Sequence, residues 1–444
     1  MRWPRVGPRR LLVLAPAILM VWSFIVWESL PYDNPILLLV RFASRQVLPF
    51  LRTPLGDNDN WVFDHPPFPV RFDQDVGFIV KTGYGTQTRI PAQLDALDLL
   101  PDGSAAENLL VIADFAAGLS RNGHSIEIHD SIAVLAANQA LTTFHGSERL
   151  LKYNNLTAAI KSRTKAVDEI SRDVGWELDA MKFVPGLEMA YKKMPSKKWY
   201  VMVDDDTYIL KPSLGRVLGH MDHSRPMYTG NAVGDYKGRF AHGGSGIVLS
   251  QAAMAKVFGE NSHLVSAAYV DSLTEAWGDK VLAEMLMRAG IYLDERYSHF
   301  FNGERPRMTR IRGDRVCSPI VSFHGLAGPG QMEEVGRTFR GIDVPITWGA
   351  LWKIYGQPGI DDFIQTPTRP HQDYVGRTDE STMSLQGVTS AGGCLDTCVK
   401  HHSNCLAWTW DESMGACHIS PWMIIGEKSQ GKLPGSMLLQ CRRF

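Results

Sequence analysis

The chain has 444 residues, more than one ordinary domain and enough for two or three. Hydrophobic residues make up 44% and charged residues 21%, which excludes wholesale disorder and a collagen-like chain. Lys and Arg total 46 against 47 Asp and Glu, a net charge of −1, so no global field draws nucleic acid and no such partner is expected.

Arg2, Arg5, Arg9 and Arg10 precede an uncharged run over residues 11–27. As a helix that run spans about 26 Å, close to the roughly 30 Å core of a bilayer. The charge placement predicts a single-pass type II protein. Residues 1–10 are then a cytosolic tail and 11–27 a signal anchor. Everything after them is lumenal, in the Golgi or another secretory-pathway membrane. The rival is a cleaved signal peptide. Against it, the run is long for one, and Trp27-Glu28-Ser29-Leu30-Pro31 offers no small-x-small site. Residues 28–74, rich in Pro, Asp and Asn, read as a stem, and the apolar stretch 36–40 is too short to span. Asn155-Leu156-Thr157 is a glycosylation sequon at Asn155. Five of six cysteines fall between Cys394 and Cys441, which suits an oxidising lumen.

Regular structure is expected from Val76-Gly77-Phe78-Ile79-Val80, a buried-strand pattern closed by Lys81-Thr82-Gly83. Residues 109–113 form a second such run and end at Asp114. Residues 178–191 carry apolar residues at helical spacing. Trp199-Tyr200-Val201-Met202-Val203 is a third strand, stopping at Asp204-Asp205-Asp206. Strands alternating with helices predict an α/β sheet with crossovers, here over residues 75–356. Residues 357–374, with three prolines, read as a linker to a module at 375–444.

Three adjacent aspartates repel one another unless a cation compensates. Carboxylates are hard ligands suited to Mg²⁺ or Mn²⁺, and α/β sheets place ligands at the carboxyl ends of strands. An acidic turn is the plainer alternative. Further on, Gly243-Gly244-Ser245-Gly246 leads into a strand, where glycines let backbone approach a ligand, or simply make a turn. Asp279 opens an amphipathic helix, as a cap or as a general base. His324 ends the strand Ile320-Val321-Ser322-Phe323, a structural position or a Mn²⁺ ligand.

This ordered set resembles the Fringe-like β-1,3-glycosyltransferases of glycosyltransferase family 31, which include the core-1 β-1,3-galactosyltransferases. The segments are Val80-Lys81-Thr82, Asp204-Asp205-Asp206-Thr207-Tyr208, Gly243 to Ser250, Gly278-Asp279-Lys280-Val281 and Ser322-Phe323-His324. The resemblance implies a GT-A fold, a Rossmann-like nucleotide-sugar-binding domain, with Mn²⁺ or another divalent cation and a UDP-sugar donor. It implies that Asp206 and His324 bind the metal, joined by Asp204. Asp204 and Asp205 would contact ribose or metal-bound water. Lys81, Thr82 and Asp114 would contact the nucleotide. Gly244, Ser245 and Gly246 would line the donor and acceptor pocket, and Asp279 would be the catalytic base. The family usually has an acidic pair where this chain has Gly278-Asp279.

Cys394, Cys398, Cys405 and Cys417 flank the strand-like Leu406-Ala407-Trp408-Thr409-Trp410. So small a module needs covalent staples. Zinc is the competing reading, with His401, His402 and His418 nearby. The arrangement resembles a PAN/apple domain, which implies bridges Cys394 to Cys417 and Cys398 to Cys405. Cys441 is left to pair with Cys317, with another chain, or with nothing.

The expected function is inverting transfer of a hexose or N-acetylhexosamine from a UDP-sugar to a hydroxyl of a glycan or glycoprotein, with β-1,3 linkage. The alternative is an inactive glycan-binding or adhesion protein that keeps the scaffold and acts through its C-terminal module. A metal-dependent hydrolase is a third reading, opposed by the lack of a second carboxylate-histidine cluster. A homodimer stays open.

Overall fold

In the computed structural model, which describes residues 22, 29–51, 59–99, 107–121, 123–357, 369–401, 405–426 and 432–436, the three apolar runs lie side by side. Val76–Lys81 pairs in parallel with Leu109–Ala113 on one side and with Trp199–Asp204 on the other. The sheet has seven strands, in spatial order Ala117–Arg121, His124–Asp130, Leu109–Ala113, Val76–Lys81, Trp199–Asp204, Ile247–Ser250 and Tyr228–Gly230. The inner pairs are parallel and the outer ones antiparallel. This mixed α/β architecture is consistent with a GT-A-like fold.

The runs read as unbroken apolar stretches because both faces of the sheet are covered. Val76, Phe78, Val80, Trp199, Val201 and Val203 face one core, while Ile79, Tyr200 and Met202 face the other. That alternation is the two-residue period of a strand.

Residues 178–191 are not one helix. They fall on Val167–Asp179 and Phe183–Lys193, separated by a turn over residues 180–182. The turn buries Lys182, which is 1% exposed and reaches Asp114 and the Thr82 carbonyl. Apolar spacing continues through the break, so periodicity alone hides it.

The expected tail 1–10 and anchor 11–27 lie outside the described residues, apart from Trp22. Among the described residues no helix is long and apolar enough to cross a membrane. Part of the expected stem is folded onto the domain. It holds the helix Pro35–Leu51, with Leu37 buried, and Arg41 sits 3.9 Å above the Tyr292 ring. Asn155 is exposed on the helix Glu148–Ser162.

The C-terminal module is a four-stranded antiparallel sheet, Met383–Gln386, Ala416–Ser420, Ala407–Asp411 and Lys432–Ser436, with the helix Ala391–Lys400 against it. Ser390 caps that helix by accepting the Gly393 N–H. Disulfides join Cys394 to Cys417 and Cys398 to Cys405, so these sulfurs are not zinc ligands. Cys317 is also disulfide-bonded, and Cys441 lies outside the described residues. The end of the expected linker is built into the fold. Tyr374 is fully buried, and Asp373 accepts from Thr409 and Lys432. Ile311–Arg312 pairs with Trp422–Met423, and Leu406, Ala407, Met423 and Ile425 enter the same core as Val76 and Val201.

Candidate active site

The parallel register sets Lys81 opposite Asp204 at the carboxyl ends of the two central strands. Gln93 holds the turn that follows. Its amide donates to the carbonyls of Asp204 (2.6 Å) and Thr207 (2.8 Å). Thr207 in turn donates to the Gly244 carbonyl at 2.8 Å. Tyr208–Ile209 then pairs antiparallel with Ser322–Phe323. That short ladder brings His324 to the acidic turn, and the Leu326 N–H donates to the Asp206 carbonyl.

Ligand atoms of Asp204, Asp206 and His324 lie within 4.8 Å of one another. His324 Nε2 is 3.2 Å from Asp206 Oδ1. Burial raises the Asp206 carboxyl, but its bond to His324 outweighs that and holds it below the ordinary range. Burial likewise lowers His324, and Asp206 outweighs it to leave the imidazole above its usual value. Asp204 Oδ1 is buried and forms an ion pair with Lys81 Nζ at 2.9 Å. Two carboxylate oxygens and an imidazole nitrogen are a donor set that fits Mn²⁺.

Asp205 points the other way. It accepts from Thr82 at 2.6 Å and from Arg89 at 3.0 Å, and burial pushes its carboxyl up. Lys81 donates to both oxygens of Asp179 at 2.6 Å. Desolvation pulls its ammonium down, yet Asp179 and Asp204 prevail and hold it above the ordinary lysine value. Lys182 pairs with Asp114 at 3.0 Å, both side chains buried, and Asp114 also accepts the Tyr84 N–H. Breaking such a pair on one side costs ~3–5 kcal/mol.

These groups surround a cleft of about 620 Å³. Of the residues singled out in the sequence, Lys81, Thr82, Asp114, Asp204, Asp205, Asp206 and His324 line it. Gly244, Ser245, Gly246 and Asp279 do not. Gly244 backs directly onto the imidazole, and a Cβ there would lie 2.3 Å from His324 Nε2. Ser245 is buried, its hydroxyl between Asn231 and His242. Asp279 opens the helix Gly278–Arg288 with 5% exposure and accepts the N–H of Gly243 at 2.9 Å. Burial pushes its carboxyl up to about 6. The Gly243 it holds precedes the Gly244 that backs onto His324, so a short glycine segment links Asp279 to the acidic group.

Residues 162–326 match the Fringe-like family model. That segment carries the acidic triplet, the glycine cluster, Asp279 and His324, and the match supports a glycosyltransferase in general. No curated protein matches the chain.

Sequence reading did not single out Arg89, Asp179 or Lys182. Arg89 sits in a short turn, Asp179 at a helix end and Lys182 in the break that follows, where lone charges resemble a solvated face. The only signal was the Asp179–Lys182 spacing of three, and the two side chains do lie 3.7 Å apart across the break. The structure also accounts for Gly278. A Cβ there would meet Phe183 Cδ2 at 2.4 Å and the Ala180 carbonyl at 2.6 Å, so no acidic side chain fits as the chain is packed.

Proposed function

We propose that this protein is an inverting, metal-dependent transferase that moves a hexose or N-acetylhexosamine from a UDP-sugar to a hydroxyl of a glycan or glycoprotein, with β-1,3 linkage. It works as a membrane-anchored enzyme of the Golgi or another secretory compartment. The observation that carries this reading is the convergence of Asp204, Asp206 and His324 at one end of a cleft large enough for a nucleotide sugar. The Fringe-like match over the same residues supports it.

Asp204, Asp206 and His324 would hold the divalent cation, Mn²⁺ by its donor set. Bound there, it would neutralise charge developing on the leaving diphosphate. Lys81 holds Asp204 and Asp179 in place, and its ammonium offsets part of the acidic charge. Arg89 fixes Asp205, leaving the Thr82–Thr86 edge as a polar wall for the nucleoside. Asp279 takes the acceptor hydroxyl's proton as that oxygen attacks the anomeric carbon, and a single base with in-line attack inverts the α-linked donor to a β-glycoside.

The deciding experiment is UDP release across a panel of UDP-sugars with Mn²⁺, with and without glycan acceptors. Acceptor-dependent release is expected. Release without acceptor would instead indicate hydrolysis, and silence across the panel would leave the binding-protein reading.

A further inference from the structure

Trp176 and Trp277 are 58% and 51% exposed, and their rings meet edge to face with centroids 5.7 Å apart. Two large indoles left side by side in water mark a contact surface when they border a cleft and are rimmed by polar groups. Trp176 lines the cleft described above. It lies one turn before Asp179, the partner of Lys81. Arg172 and Asp168, four and eight residues back on the same helical face, line the cleft as well. Beside it, a Cβ at Gly175 would meet nothing, so space is open there. Trp277 stands at the start of the helix Gly278–Arg288, two residues before Asp279.

The two indoles meet because of Gly278. With no Cβ, that residue seats the helix start against Ala180, just past the end of the helix that bears Trp176. An acid at 278 would push the two elements, and the two rings, apart. The position where this chain departs from the resembling family is therefore what closes the aromatic corner.

We propose that Trp176 and Trp277 form the platform on which the acceptor's pyranose ring stacks, which makes the acceptor a glycan rather than a bare peptide hydroxyl. A pyranose has an apolar C–H face that lies against an aromatic face. Its hydroxyls stay free for polar partners such as Arg172 and Asp168. A ring seated in this corner lies between the helix end whose Asp179 holds Lys81 and the helix start that carries Asp279. The inference rests on the transferase reading above and specifies its acceptor side.

The test uses the full chain with Trp176→Ala, Trp277→Ala and the corresponding Phe variants. UDP binding with Mn²⁺ is measured by calorimetry, and transfer rates against methyl β-galactoside and methyl β-N-acetylglucosaminide. UDP affinity should not change in Trp277→Ala, since Trp277 is not among the residues that line the cleft. KM for the glycoside should rise roughly tenfold in each Ala variant, about 1.4 kcal/mol of acceptor binding, with kcat little altered. The Phe variants should recover most of the loss, which a merely structural role would not produce. Unchanged KM in both Ala variants overturns the platform and leaves the transferase standing. If the wild type transfers to neither glycoside, saturation-transfer NMR with the same glycosides decides. Signal on one C–H face that vanishes in the Ala variants upholds the platform, and no signal in the wild type overturns it. A wild type that fails to bind UDP counts against the transferase reading alone.

Discussion

Replacing Gly244 by alanine tests the proposed metal site without substituting any of its candidate ligands. A Cβ at 244 would lie 2.3 Å from His324 Nε2 and 2.6 Å from two ring carbons. Ordinary contact begins near 3.4 Å, so the imidazole must withdraw by about 1.1 Å, the difference between the two distances. Gly244 is not among the glycines with positive φ, so alanine itself suits the backbone. Withdrawal takes Nε2 away from Asp206, now 3.2 Å off, and spreads the three ligand atoms. Displacing a ligand on this scale weakens metal binding by roughly 10- to 100-fold. Free Mn²⁺ measured by electron paramagnetic resonance during titration reads that loss directly. Thermal unfolding should change little, since the moved ring is a quarter exposed. The decisive control is the cycle with His324→Ala. Once the imidazole is gone, Gly244→Ala should cost nothing further. Wild-type Mn²⁺ affinity in the single variant, or additive losses in the double, would refute the steric reasoning.

Asp279→Asn should reduce transfer by at least about 100-fold while UDP and Mn²⁺ binding persist, as seen by calorimetry against turnover. Because the Asp279 carboxyl is pushed up to about 6 and a base must be ionised, kcat/KM should rise with pH through about 6 and level off above it. The same raised value means the fold holds this proton more tightly than the unfolded chain does. Its ionisation therefore weakens the fold as pH climbs from the ordinary carboxylate range to about 6. A rate that falls across that interval would remove Asp279 from the base role. Gly278→Asp, which supplies the acidic pair usual in the resembling family, should not raise activity. It should cost ~1–3 kcal/mol by forcing Phe183 and Ala180 aside, measured by chemical denaturation. Cys394→Ser with Cys417→Ser should lose ~2–4 kcal/mol from the C-terminal module and speed its cleavage in limited proteolysis.

The central strands were legible because they are buried on both faces. Residues 109–113 and 199–203 are unbroken apolar runs, and the strands extend past them by at most the first aspartate. The aspartate triplet was legible as a costly charge cluster needing a counter-charge. The clustering of His324 with Asp206 followed only from resemblance, since a histidine after a strand carries no signal of its own. What brings it there is a two-residue ladder too short for any periodicity. The break before Phe183 escaped because Lys182 is stabilised by Asp114, 68 residues away in sequence, a contact no local window contains. The packing of Tyr374 and its neighbours onto the sheet escaped for the same reason. A segment rich in proline reads as a tether whatever surface its end meets.

The shared interior of the sheet and the cystine-bridged module has a practical consequence. Met423 and Ile425 complete a layer begun by Ile311 and Phe300, and Trp422 donates its indole N–H back to Val375. Cutting the protein before residue 375 would strip cover from that layer and leave a greasy wound beneath the transferase lobe. A shortened enzyme of that kind should clump rather than report on what the tail does. Swapping surface residues of the tail, with its inner side chains kept, is the cleaner way to ask.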